Sequence, residues 1–101
     1  MTLPSGITLP MEALAEICRR YGVRELSVFG SAARGQMKSE SDIDILVEFD
    51  PTAAVGLWEF ARMESELRKL LGRPVDLVSK SGLKPRVRPS VLRDAKVIYA
   101  A

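Results

Sequence analysis

The spacing of apolar residues at the start of the chain predicts a helix followed by a strand. Over residues 10–21, apolar side chains recur three and four positions apart, which is typical of an amphipathic helix, and Gly22 stands where such helices end. The apolar face defined by this spacing comprises Met11, Leu14, Ile17, Cys18 and Tyr21. Val23–Phe29, with Leu26 and Val28 in an apolar run, is predicted to be the first strand.

The clearest period-two pattern lies at Asp42–Phe49 and predicts the second strand. Its apolar face comprises Ile43, Ile45 and Val47, and the other face comprises Asp42, Asp44, Leu46 and Glu48. Between the two strands, Gly30 and Ser31 end the first strand, Ala32–Gly35 is predicted to be a short helical turn, and Gln36–Ser41 a polar loop.

Residues 56–71 predict the longest helix, which Gly72 ends. Its apolar stripe, interrupted only by Glu64, comprises Leu57, Phe60, Ala61, Leu67, Leu70 and Leu71. A third strand at Val75–Val78, a short helix at 86–93 and a last strand at Lys96–Tyr99 complete the order αβαβαβαβ. The pattern predicts a mixed α/β (α+β) fold, in which helices pack against one small mixed β-sheet, and one domain over residues 1–101.

The residue inventory narrows the possible chemistry. The chain has no histidine and a single cysteine, Cys18, which excludes an imidazole base, a disulfide framework and a Cys/His zinc site within the chain. The oxygen ligands of 13 aspartates and glutamates are left, and such ligands favour hard cations like Mg²⁺.

Charge and hydropathy favour neither a nucleic acid nor a membrane as partner. The net charge is only +2, and no apolar run approaches the roughly 20 residues that a membrane span requires. The first residues lack the pattern of a secretory signal, so we expect a cytoplasmic protein. A basic segment over 84–93 could contact DNA through Lys84, Arg86, Arg88 and Arg93, but a solvated face is the favoured interpretation.

Asp42 and Asp44 are the first candidate site. Two residues apart on a strand, they place two carboxylates on one face, roughly 6 to 7 Å apart along the backbone. Such a pair favours a bound cation; the other interpretation is a solvent-facing polar strand.

Gly30 and Ser31, at a strand-to-helix junction, are the second candidate site. Glycine lets the backbone approach a ligand closely, and the following helix start presents free N–H groups to a phosphate, to which the serine hydroxyl can add a hydrogen bond. A plain turn with a serine N-cap is the other interpretation. Arg34, one turn further on, is either a counter-charge for the phosphate or a solvated helix residue.

Asp76 is the third candidate, because it stands between Val75 and Leu77 on a strand that we expect to be buried. A carboxylate in such surroundings is costly unless it is paired or bound to a metal ion, and a salt bridge to Arg73 or Arg86 is the structural alternative.

Trp58 is expected at the core or its edge, with a partner-binding patch as the second interpretation.

Together these motifs resemble the nucleotidyltransferase superfamily that includes DNA polymerase beta. Phe29-Gly30-Ser31 is followed, after ten further residues, by Asp42-Ile43-Asp44, which matches the superfamily's signature of Gly-Ser, ten residues and Asp-x-Asp. Asp76 stands at the place of its third acid. The resemblance covers nearly the whole chain and is greatest to the minimal branch, many of whose members are antitoxins encoded beside a HEPN-domain toxin.

The resemblance implies the nucleotidyltransferase fold, a metal site and a reaction. Asp42, Asp44 and Asp76 would hold two Mg²⁺ ions, for which Mn²⁺ can substitute, while Gly30, Ser31 and Arg34 would bind the nucleotide phosphates. The expected reaction transfers AMP from ATP to a hydroxyl, a tyrosine of a HEPN toxin, and releases pyrophosphate. The alternative is a catalytically weak antitoxin that neutralises its partner by forming a complex. The chain has no room for a separate acceptor-binding domain, so we expect the acceptor to be a partner protein.

Overall fold

The computed structural model describes residues 1–4, 6–36 and 42–101, and it confirms the predicted order of elements. The strands are β1 (Val23–Phe29), β2 (Ile43–Phe49), β3 (Val75–Ser79) and β4 (Lys96–Ala100). The helices are α1 (Met11–Tyr21), α2 (Gly30–Arg34), α3 (Leu57–Leu71) and α4 (Arg88–Asp94), and Lys80–Gly82 forms a 3-10 turn. Of the predicted loop Gln36–Ser41, residues 37–41 lie outside the described residues.

The four strands form one mixed sheet in the order β3-β2-β1-β4. β1 is antiparallel to both β2 and β4, whereas β2 and β3 run parallel. The predicted mixed sheet is thus confirmed, and β3 and β4 are its edge strands. Because β1 runs against β2, the end of β1 lies beside the start of β2, and the parallel start of β3 lies beside the start of β2 as well.

The core lies between the apolar sheet face and the helices α1 and α3. Ile43, Ile45 and Val47 of β2 are fully buried, as their alternation predicts. Leu46, on the opposite face, is buried too, opposite the buried Ser27 of β1, so the second face is covered in part.

Helix α1 contributes its predicted face to this core. Leu14, Ile17 and Cys18 are buried, and Met11 and Tyr21 pack against them half-exposed. Burial raises the pKa of the Cys18 thiol to about 12, so this cysteine is a core residue with no reactive thiolate.

The predicted apolar stripe of α3 is partly wrong. Met63, which the stripe omits, is fully buried together with Leu67, whereas Leu57 and Trp58 are 84% and 83% exposed. At 3.6 residues per turn, the arc centred on Met63 and Leu67 leaves Leu57 at its margin and both Ala61 and Trp58 on the far side. Trp58 is therefore a surface residue and not part of the core.

The C-terminal basic segment is exposed at Lys84, Arg86, Arg88 and Arg93. Helix α4 begins at Arg88 and not at 86, with Pro89 in its first turn, a position that proline favours. Within the described residues, no helix is both long enough and apolar enough to cross a membrane.

Candidate active site

Asp44 and Asp76 lie side by side on the parallel strands β2 and β3, as register partners. Neighbouring strands are about 4.8 Å apart, and the side chains of register partners leave the sheet on the same face. Asp42 lies just before β2, which begins at Ile43 and not, as predicted, at Asp42. The sheet therefore brings the three predicted acids to one end of two neighbouring strands.

Asp44 lies in an environment that disfavours its negative charge. Its side chain is half-buried, and this burial is the main reason why its pKa is raised above the usual range. The negative charges of Asp76 and Asp42 raise the pKa of Asp44 further, and Arg34 opposes them. The three acids therefore interact through space, and the field around Asp44 favours a bound cation.

Gly30 packs directly against Asp44. A Cβ atom at position 30 would lie 2.4 Å from Oδ2 of Asp44, closer than real Cβ atoms approach a neighbour. Gly30 also has a φ of +66°, in the left-handed region that disfavours other residues. The backbone conformation favours glycine here, and any side chain would have to displace the Asp44 carboxylate. The predicted phosphate loop therefore adjoins the acidic strand.

Ser31 is not the N-cap of α2, so the serine cap that the sequence left open as an alternative is absent. The helix begins at Gly30, its N-cap position is Phe29, and no side chain caps it. In the part of the chain that the structure describes, the Ser31 hydroxyl makes no hydrogen bond. The first N–H groups of a helix have no intrahelical partner, and those of α2 begin at Gly30, which packs against Asp44.

Arg34 lies at the exposed end of α2. Its Nη1 forms an ion pair with Oδ2 of Asp94 at 2.9 Å, and its Nε donates to Oε1 of Gln36 at 3.2 Å. Arg34 is thus close enough to affect the pKa of Asp44 and is held by an acid of α4. The contact between Asp94 and Arg34 was not predicted, because the two residues are 60 positions apart and no local pattern links them.

Asp76 is exposed, which corrects the expectation of a buried strand. Val75 and Leu77 on either side of it are buried, so the strand alternates between a covered and an open face. The error arose because β3 is an edge strand of which only one face packs on α3. Asp76 takes part in none of the ion pairs between residues that the structure describes.

The acids fit a divalent cation that is shared with a substrate. Among residues 1–4, 6–36 and 42–101, no three acidic, cysteine or histidine side chains gather into a cluster that could hold a metal ion. Mg²⁺ is usually held by one or two carboxylates together with water and substrate phosphates, so a closed cage is not required. The fit rests on the oxygen donors of these side chains and on the surroundings of Asp44, whose pKa is raised first by burial and then by the charges of Asp76 and Asp42.

Comparisons with known proteins identify the family to which the chain belongs. A family model described as a nucleotidyltransferase domain matches residues 10–98. The protein adenylyltransferase MntA of Thermococcus cleftensis is 48% identical over 84 residues, which cover 83% of this chain and 81% of that protein.

Two solved structures share the fold. One, provisionally assigned as a minimal nucleotidyltransferase, is 44% identical with a TM-score of 0.73, over 85% of this chain and 86% of that chain. The other comes from a complex of the tri-AMPylated HEPN toxin of Shewanella oneidensis with an MNT antitoxin. It is 20% identical with a TM-score of 0.64, over 90% of this chain and 70% of that chain. At that identity the likeness concerns the fold alone.

The chain therefore belongs to the nucleotidyltransferase family and is a nucleotidyltransferase of the minimal type. The resemblance found in the sequence is confirmed. The roles of the individual site residues remain predictions.

Proposed function

We propose that this enzyme transfers AMP from ATP to a tyrosine hydroxyl of a HEPN-domain toxin and thereby acts as an antitoxin. The MntA relative is a protein adenylyltransferase, and a structural neighbour comes from a complex with an AMPylated HEPN toxin; both support this choice of reaction and partner. The observation that supports the proposal most is that Asp44 is the register partner of Asp76 and also packs against Gly30, because the reaction would need acids next to the start of the phosphate-binding loop.

The proposed reaction is an in-line substitution at the α-phosphorus of ATP. The acceptor oxygen forms a bond to this phosphorus while the bond to the bridging oxygen of the β-phosphate breaks. AMP becomes attached to the acceptor, the hydroxyl proton is released, and pyrophosphate leaves with the bonding electron pair. Two Mg²⁺ ions, or Mn²⁺ in their place, would neutralise charge on the attacking and leaving oxygens when they are bound.

Each residue of the site has a separate task in this scheme. Asp42 and Asp44 would hold the metal ions, and Asp76 would serve the acceptor side and accept the proton of the attacking hydroxyl. The N–H groups that follow Gly30, with the Ser31 hydroxyl, would bind the leaving β- and γ-phosphates. Arg34 is near enough to contribute positive charge if it exchanges Asp94 for a phosphate.

The proposal is tested by incubating the protein and the product of the neighbouring gene with Mg²⁺ and ATP labelled on the α-phosphate. Label on the partner, located on a tyrosine by mass spectrometry, is the expected result. ATP labelled on the γ-phosphate serves as the control, because AMP transfer leaves the partner unlabelled with it. Label from the γ-phosphate would show phosphate transfer and contradict the proposal.

The same experiment decides between the enzyme and a binding-type antitoxin. A stable complex that neutralises the toxin but carries no label would support neutralisation by complex formation.

The absence of direct nucleic-acid binding and the cytoplasmic location stay predictions.

A further inference from the structure

The edge strand β3 is held on its outer side by two side chains of α3. The Leu77 N–H donates to Oε2 of Glu64 at 3.0 Å. The Val75 carbonyl accepts from Nε and Nη2 of Arg68 at 3.3 and 3.2 Å. Arg68 Nη2 also donates to Oε1 of Glu64 at 2.9 Å, so the two side chains form one connected pair.

These contacts lie on the backbone directly before and directly after Asp76. The Val75 carbonyl belongs to the peptide plane before the Asp76 Cα, and the Leu77 N–H belongs to the plane after it. The orientation of these two planes sets φ and ψ of Asp76, and hence the direction in which its carboxylate leaves the strand. On the inner side, Asp76 is already in register with Asp44 of β2. The backbone at Asp76 is thus held from both sides.

Glu64 occupies an unusual place for an acid. It interrupts the apolar stripe of α3, and its side chain is only 24% exposed. Burying most of a carboxylate costs free energy unless hydrogen bonds compensate, and here Arg68 and the Leu77 N–H supply them. Side chains that only protected the edge of the sheet could bond to the backbone anywhere along β3. Between described residues, these hydrogen bonds are instead made to the Val75 carbonyl and the Leu77 N–H, on either side of the one acid of the strand.

We propose that Glu64 and Arg68 are positioning residues for Asp76, an inference that rests on the proposed function of Asp76. Neither residue touches the reacting atoms; they fix the strand that carries the acid. Loss of the pair lets Asp76 move relative to Asp44 and lowers kcat. The KM for ATP stays unchanged, because the predicted phosphate donors belong to α2 and not to β3.

The test uses the full chain with Glu64→Ala, Glu64→Gln and Arg68→Met, and Glu66→Ala as the matched control. Glu66 lies on the same helix but accepts hydrogen bonds from Tyr21 and Arg20 of α1 and not from β3. Its loss weakens the attachment of α3 without releasing β3. Glu64→Gln keeps an oxygen for the Leu77 N–H and is the conservative variant. Arg68, about half exposed, can be replaced by methionine without disturbing the core.

Two readouts are measured: kcat and KM(ATP) for adenylyl transfer, and hydrogen exchange at the Leu77 amide. For Glu64→Ala we expect kcat to fall about 10- to 100-fold at constant KM, since a small misplacement of a catalytic group has effects of this order. The Leu77 amide should be protected in the wild type and lose protection in Glu64→Ala. Arg68→Met should lower kcat in the same direction, Glu64→Gln should restore much of it, and Glu66→Ala should stay within about twofold of wild type.

The outcomes distinguish failure of the proposed function from failure of the positioning role of Glu64 and Arg68. Absence of transfer by the wild type, with its partner present, would overturn the proposed function and the positioning role with it. Wild-type transfer together with unchanged kcat in both Glu64→Ala and Arg68→Met would overturn the positioning role alone. An equal fall of kcat in Glu66→Ala would also overturn it, because the effect would then come from a loosened helix. If Glu64→Ala does not fold, Arg68→Met and Glu64→Gln still decide.

Discussion

Gly30 and Asp44 approach each other so closely that a side chain at residue 30 would displace the Asp44 carboxylate. The Cβ of any other residue would lie 2.4 Å from Oδ2 of Asp44. The loop predicted to bind phosphate and the strand predicted to bind metal thus share one contact. A change on one side therefore disturbs the other.

Gly30→Ala is expected to abolish most adenylyl transfer, because the new methyl group must displace the Asp44 carboxylate. We expect kcat/KM to fall by about 100-fold or more, which corresponds to at least roughly 2.7 kcal/mol of transition-state stabilisation. Gly72→Ala is the matched control, since Gly72 has a similar φ of +64° but nothing within 4 Å of a Cβ. Both variants should lose about 1 kcal/mol of stability from backbone strain. Equal activity in the two would contradict the close contact.

Asp44→Asn should stabilise the metal-free protein while it removes activity. Burial and the charges of Asp76 and Asp42 raise the pKa of Asp44, so its ionised form is disfavoured in the folded state. A folded pKa above the unfolded value means that ionisation of this group lowers stability as pH rises through the range between the two. At pH 7 and with EDTA, the variant should therefore melt at a higher temperature than wild type.

Added Mg²⁺ should change the difference in Tm between wild type and Asp44→Asn. A ligand that binds only the folded protein raises its Tm, so Mg²⁺ with ATP should stabilise wild type more than Asp44→Asn. Thermal unfolding with and without EDTA measures both effects. A variant that melts below wild type in EDTA would show that the Asp44 charge is favourable by itself.

Glu66 should make stability depend on pH in the acidic range. Hydrogen bonds from Tyr21 and then Arg20 lower the pKa of Glu66, so its contribution is present above its unfolded pKa of about 4.3. That contribution is lost as pH falls through the lower, folded pKa. Glu66→Gln should be less stable than wild type at pH 7 by about 0.5 to 1 kcal/mol, which is the size typical of ion pairs at a protein surface. Urea unfolding at pH 7 and near pH 3 tests this; a difference that does not shrink in acid would argue against the ionic tether.

Trp58 should report as an exposed indole. It is the single tryptophan of the chain and is 83% exposed, so its emission should be red-shifted and efficiently quenched by acrylamide in the folded protein. Denaturation should change both properties little. A blue-shifted emission that acrylamide quenches poorly in the isolated chain would contradict the exposed position of Trp58 and favour the core or its edge, where the sequence pattern is expected to place it.

The candidate residues that could be predicted from the sequence are those that lie close together along the chain. Gly30, Ser31, Asp42 and Asp44 follow from local chemistry and a fixed spacing, and β2 follows from its alternation. The exposure of Asp76 was not predictable, because it depends on which strand forms the sheet edge.

The hydrogen bonds of Glu64 and the ion pair of Arg34 with Asp94 also had no sequence signal. They join residues that only the tertiary fold brings together. The pattern of α3 assigned Leu57 to the buried face and omitted Met63, since apolar character alone does not fix the rotation of a helix about its axis.

The central claim is that Asp42, Asp44 and Asp76 together catalyse adenylyl transfer to a partner protein. It is tested most directly by the transfer of α-labelled AMP to the neighbouring gene product by wild type, by Asp42→Asn/Asp44→Asn and by Asp76→Asn. We expect label on a tyrosine with wild type and none above background with either variant, while all three proteins keep the folded circular dichroism spectrum. Full labelling by the Asp42→Asn/Asp44→Asn protein would contradict the account.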